Sequence, residues 1–136
     1  MSAPAMTPRP RSRAETGLAL FCFGTVGFLV LRDLTLPEVR DTEVWFGFEL
    51  RGWAAWLTAP LHWGLFAFGG WAFWRARTWI WTWAPLYAFG IAVSHLVWNL
   101  TSRNGGGWSD GVAQLILFSL PAAALLRLRP DETVRS

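Results

Sequence analysis

RARTWIWTWAPLYAFGIAVSHLVWNLTSR, residues 75–103, carries its charges only at its ends, with none between Arg77 and Arg103. From Thr78 to Leu100 it is long enough, at ~1.5 Å per helical residue, to cross ~30 Å of hydrocarbon. A soluble helix of this length would show a polar face recurring every 3.6 residues, and this one does not. The stretch therefore reads as a transmembrane helix with two polar exceptions, His95 and Asn99, one turn apart on the same face.

The pattern repeats outward. Apolar runs span 15–31, 52–74 and 109–126, bounded by Arg13 and Arg32, by Arg51 and Arg75, and by Arg103 and Arg127. Together with 78–100 they predict an all-α integral membrane protein: an antiparallel four-transmembrane-helix bundle over residues 15–127. Residues 1–14, rich in Pro, Ser and Arg, read as a disordered cytoplasmic tail, and 128–136 as a second tail. The run after Arg9, Arg11 and Arg13 mimics a signal peptide but lacks a small-x-small cleavage pattern, so it reads as a retained anchor.

Charge placement sets the expected orientation. Eight arginines (9, 11, 13, 75, 77, 127, 129, 135) fall on one side of the spans and four (32, 40, 51, 103) on the other. The arginine-rich side is cytoplasmic by the positive-inside rule, which places both termini inside. Tryptophan gives an independent check, since indole prefers the headgroup level. Of the 11 tryptophans, only Trp63 falls near the middle of a span. All 12 basic residues are arginine, which points to a GC-rich bacterial genome and an inner-membrane location. The net charge of +3 flanks apolar segments instead of forming one basic face, so nucleic acid is not an expected partner. The single cysteine, Cys22, excludes an intramolecular disulfide.

Residues 32–51 form the longest connection. Thr35-x-x-Glu38 reads as a capping box with Pro37 in the first turn. Val44-Trp45-Phe46-Gly47-Phe48 reads as an interfacial segment or an extension of the second span. Asn104 to Gly107 is a flexible hairpin tip, with Ser109 or Asp110 capping the fourth helix. Pro60, Pro85 and Pro121 predict local bends in three helices.

Polar groups inside a membrane are costly, so they mark the candidate site. His62 lies ~16 Å in from Arg51, His95 ~12 Å from Arg103, and Gln114 ~9 Å past Trp108. All three fall in the outer half of the bilayer, beneath an acidic loop containing Glu43 and Glu49. The expected site is a polar pocket for a lipophilic small molecule. In an enzymatic version His95 is the general base, oriented by Asn99, and His62 the acid or electrophile. Trp63, Gln114, Glu43 and Glu49 are the expected ligand contacts. The bland alternative, hydrogen bonding between helices, is worth ~0.6 kcal/mol per contact. No His-x-x-x-His or Cys-x-x-Cys spacing supports a metal, and no particular cofactor is implied. Two further functional classes stand beside the pocket: a non-enzymatic accessory subunit of a larger membrane complex, and a proton-linked transport component acting as a homo-oligomer. No motif matches a known family residue by residue.

Overall fold

A computed structural model describes residues 10–36 and 41–130. It contains helix α1 (Arg13–Thr35), strands β1 (Thr42–Trp45) and β2 (Phe48–Arg51), then helices α2 (Trp53–Trp74), α3 (Ile80–Thr101) and α4 (Gly107–Leu128). Helices α1, α3 and α4 are long and apolar enough to cross a membrane, which marks a membrane-associated, multi-pass protein. α2 has the length, at 22 residues, but does not reach the hydropathy of a span. Its tryptophans, Pro60 and His62 are the reason: an indole is amphipathic and scores as mildly polar.

Several boundaries differ from the sequence reading for local reasons. α1 starts at Arg13 because Ser12 caps it, accepting from the Glu15 N–H while Glu15 accepts from the Ser12 N–H. α1 then runs past the expected end at Leu31 to Thr35, so Arg32 and Asp33 lie on a helix and not in a loop. Thr35 therefore ends a helix, and the capping box expected with Glu38 and Pro37 lies outside the described residues. α4 begins at Gly107 without a side-chain cap, so neither Ser109 nor Asp110 caps it; Asp110 sits in its first turn, where an acid suits the helix dipole. The three prolines lie inside α2, α3 and α4.

The aromatic segment 44–48 neither extends α2 nor remains irregular. It is the tip of an antiparallel hairpin in which Thr42 pairs with Arg51, Glu43 with Leu50, Val44 with Glu49 and Trp45 with Phe48. The two-residue turn Phe46-Gly47 has φ of 52° and 90°, the doubly positive pattern of a type I′ turn. Phe46 is an uncommon occupant of such a turn, which explains why the sequence did not announce it.

The helices associate in two pairs, α1 with α2 and α3 with α4, while α2 and α3 touch little. All four meet at the end near Arg75. There Ala19 and Cys22 of α1, Ala72 and Phe73 of α2, and Ile80 and Trp81 of α3 form a buried cluster, with Leu125 of α4 packed against it. Gly70 permits the close approach of α1 and α2: a Cβ there would lie 2.8 Å from the Phe23 ring. α2 ends in a Schellman motif, with Arg77 N–H donating to Ala72 O (2.9 Å), Ala76 N–H to Phe73 O (3.0 Å) and Ala76 at φ 49°. At the same end Glu15, fully buried, accepts from Trp81 Nε1 (3.2 Å), which ties α1 to α3. Arg11 donates to the Trp74 carbonyl (3.1 Å) and stacks 3.7 Å from the Trp74 ring. At the opposite end the hairpin bridges α2 and α3.

Candidate functional site

A cavity of about 1050 Å³ lies between the two helix pairs. That is at the upper limit of the ~300–1,000 Å³ typical of small-molecule sites. Its wall is apolar and aromatic toward the Arg75 end, with Phe66, Phe68 and Trp79 among its residues. Toward the hairpin end it becomes polar, with Arg32, Glu43, His62, Ser94, His95 and Gln114.

Strand alternation positions the hairpin's acids. Successive side chains of a strand point to opposite faces, so Glu43 and Trp45 share a face while Glu49, opposite Val44, lies on the other. The first face grips α2: Glu43 Oε1 meets His62 Nδ1, and the Trp45 ring stacks on the His62 ring with centroids 4.0 Å apart and planes 6° apart. The second face grips α3: Glu49 Oε1 accepts from Trp98 Nε1 and from Ser102 Oγ, both at 2.9 Å. Gly47 completes the seat, its carbonyl accepting from Thr101 Oγ1 (3.4 Å).

A second buried acid stands behind the polar end. Asp33 is 3% exposed; its Oδ1 lies 2.6 Å from Arg32 Nη2 and 2.7 Å from Arg32 Nε, and its Oδ2 accepts from Trp63 Nε1 (2.9 Å). Arg32 is also 3.8 Å from Glu43 Oε2, so the helix α1 cation and the hairpin acid are linked. The Trp45 indole N–H is buried without a hydrogen-bond partner among the described residues.

Of the seven candidate residues, the structure brings His62, His95, Gln114 and Glu43 to the wall of one cavity. It gives the other three candidates different partners. Trp63 donates to Asp33 and joins α2 to α1. Asn99 does not orient the His95 ring: its Nδ2 donates to the His95 backbone carbonyl (2.8 Å) and to Gln114 Oε1 (3.0 Å), and its Oδ1 accepts from Gly106 N–H (3.0 Å). Glu49 anchors the hairpin to α3. The His95 ring instead stacks on Phe118 of α4, centroids 3.9 Å apart. Arg32, Asp33 and Trp45 were missed. The signal available was Arg32-Asp33 immediately after an apolar run, a pair that continues a helix as readily as it ends one. Among the described residues no group of three His, Cys, Asp or Glu side chains is placed to hold a metal ion.

The Arg51 guanidinium, 2.8 Å from Glu49 Oε2, and then the Trp98 and Ser102 donors hold the Glu49 carboxyl down to about 2 from its ordinary 4.5. Because the folded-state value is depressed, this acid stabilises the docked hairpin above about pH 4.5, and that contribution is lost as pH falls toward 2. Protection factors of the hairpin amides, corrected for intrinsic exchange, should fall across that acid window in wild type, and Glu49→Gln should flatten the dependence.

No protein-family model, curated protein or solved structure matches this chain.

Proposed function

We propose that this protein binds a lipophilic small molecule in the cavity between its two helix pairs. The observation that carries the reading is the cavity itself: about 1050 Å³, apolar over most of its wall and polar at the hairpin end, where His62 and His95 both line it. In this reading all four helices cross a bacterial inner membrane as a bundle with both termini in the cytoplasm. Arginine placement supports that orientation. α2, at ~1.5 Å per residue, is long enough to cross, and its tryptophans near both ends suit the headgroup levels. The hairpin then lies on the outer side and the cavity in the outer half of the bilayer.

Chemistry on the bound molecule is a narrower proposal. His62, held at Nδ1 by Glu43 and stacked by Trp45, has the triad-like support of a general base or proton carrier. Asn99, committed to backbone and to Gln114, favours His62 over His95 for that role.

A second reading, a subunit of a larger membrane complex, rests on the outward face of α2. Trp53, Trp56, Leu57 and Leu61 are all more than half exposed on a helix of modest hydropathy, a surface that a neighbouring protein would cover. Native mass spectrometry from a mild detergent separates the two. The expected result is one extra mass per chain in the range of a lipid or isoprenoid. A ligand-free chain found only with a stoichiometric polypeptide partner would favour the subunit reading.

A further inference from the structure

We propose that the molecule this cavity takes is a lipophilic organic cation, bound in exchange for the proton on His62. The proposal rests on the ligand-binding reading above and narrows it to a charge class.

Charge at the polar end leads to it. Among the described residues the ionisable groups on or behind this wall are Arg32 and Asp33 of α1, Glu43 of β1, His62 of α2, and Tyr87 and His95 of α3; Gln114, from α4, is uncharged. Arg32 and Asp33 neutralise each other through the 2.6 Å contact. Glu43, 8% exposed, is left with Arg32 at a longer 3.8 Å and with His62. With His62 neutral, Arg32, Asp33 and Glu43 sum to one net negative charge; with His62 protonated the sum is zero. A buried carboxylate left uncompensated is strongly unfavourable, so this end requires one cation, from a proton or from a ligand. Among the described residues an anionic head would meet no cation at this end that is not already paired, since Arg32 is held by Asp33.

The rest of the wall suits the ligand's body. Trp45, Phe66, Trp79, Trp83, Tyr87 and Trp98 all line the cavity. Aromatic faces attract cations through their quadrupoles while burying apolar substituents, as in sites for quaternary ammonium groups. The volume accommodates a cation carrying several rings or long chains.

The exchange balances. One cation enters, one proton leaves His62 Nε2 or Nδ1 for solvent, and the Glu43 carboxylate keeps its charge. Because a proton is released on binding, binding must tighten as pH rises.

The test is equilibrium dialysis of the full chain in maltoside micelles, with protein-free micelles subtracted. The probes are tetraphenylphosphonium, size-matched tetraphenylborate, and the neutral lipophile N-phenylnaphthylamine. For wild type, tetraphenylphosphonium binding should tighten by up to about tenfold per pH unit, the slope for one exchanged proton, while the neutral probe shows no such slope. His62→Gln should bind the phosphonium with that slope abolished. Glu43→Gln should weaken it at least about tenfold, the effect of ~1.4 kcal/mol, and leave the neutral probe bound. Phosphonium bound no better than borate, or with no pH slope in wild type, would overturn the cation proposal; retained binding of the neutral probe would then leave the broader reading standing. If no probe binds, both fall. His62→Gln keeps the test decisive should Glu43→Gln fail to fold, because a persisting pH slope in it also contradicts the exchange.

Discussion

Replacing Gly47 with valine is expected to unseat the β-hairpin and open the cavity at its polar end. Two independent costs fall on one residue. Gly47 sits at φ 90°, where a β-branched side chain is strained by about 1–2 kcal/mol. A Cβ there would also overlap the Val97 side chain and lie 2.7 Å from the Ser94 carbonyl of α3, an overpacking cost of about 1–3 kcal/mol. The sum, about 2–5 kcal/mol, is charged against the docking of the hairpin and not against the helix pairs, whose buried cluster lies at the opposite end. Hydrogen exchange should therefore rise in residues 42–51 while protection persists in α3 and α4. The grip of Trp45 on His62 and of Glu49 on Trp98 is lost together, because both depend on one rigid ribbon. Unchanged protection of the hairpin would mean that its seat on α3 contributes little.

The second large effect is expected from Asp33→Ala. This side chain, 3% exposed, receives Arg32 through two nitrogens and Trp63 through its indole N–H. Removing one partner of a buried pair costs about 3–5 kcal/mol, because the remaining charge stays desolvated. The lower end applies, since Arg32 keeps 27% exposure and can turn partly toward solvent. Asp33→Asn should recover part of the loss, as an amide oxygen still accepts from Trp63. The stability change is readable by denaturant titration of the detergent-solubilised chain. The same substitution frees Arg32 to move toward Glu43, 3.8 Å away, so it should also weaken cation binding.

What the sequence made legible follows from how each signal is encoded. The apolar lengths of α1, α3 and α4 are local and additive, so hydropathy found them. α2 has the length of a span but not its hydropathy, and its reading as a span rests on indoles whose preference is for an interface. The hairpin was not legible. Val44, Trp45, Phe46 and Phe48 are apolar on both faces, which hides the two-residue period, and Phe46-Gly47 lacks the Asn-Gly signature of its turn. The cap of α1 was legible as Ser12-x-x-Glu15 but was overlooked in favour of the similar Thr35-x-x-Glu38.

The site divides in the same way. His62, His95 and Gln114 stand out because each is polar in apolar surroundings, and Glu43 because it is acidic beside them. Asp33 and Arg32 did not stand out, because at the edge of an apolar run a charged pair reads as loop. Trp63 and Glu49 were read as ligand contacts since their partners are non-local: Asp33 is thirty residues from Trp63, and Trp98 forty-nine from Glu49. A spacing argument cannot supply such partners.

The central claim is that a lipophile occupies the cavity, and Gly90 offers the most direct handle on it. Gly90 lines the cavity, and a Cβ added there meets nothing within 4 Å, so a larger side chain can begin there without a backbone clash. The measurement is saturable binding of N-phenylnaphthylamine to wild type and to Gly90→Trp, with thermal unfolding recorded for both. The account predicts one site per chain in wild type and at least about tenfold weaker binding in the variant, the effect of ~1.4 kcal/mol, with unfolding unchanged or shifted upward. Equal binding by a folded Gly90→Trp, or no saturable binding to wild type, would contradict it.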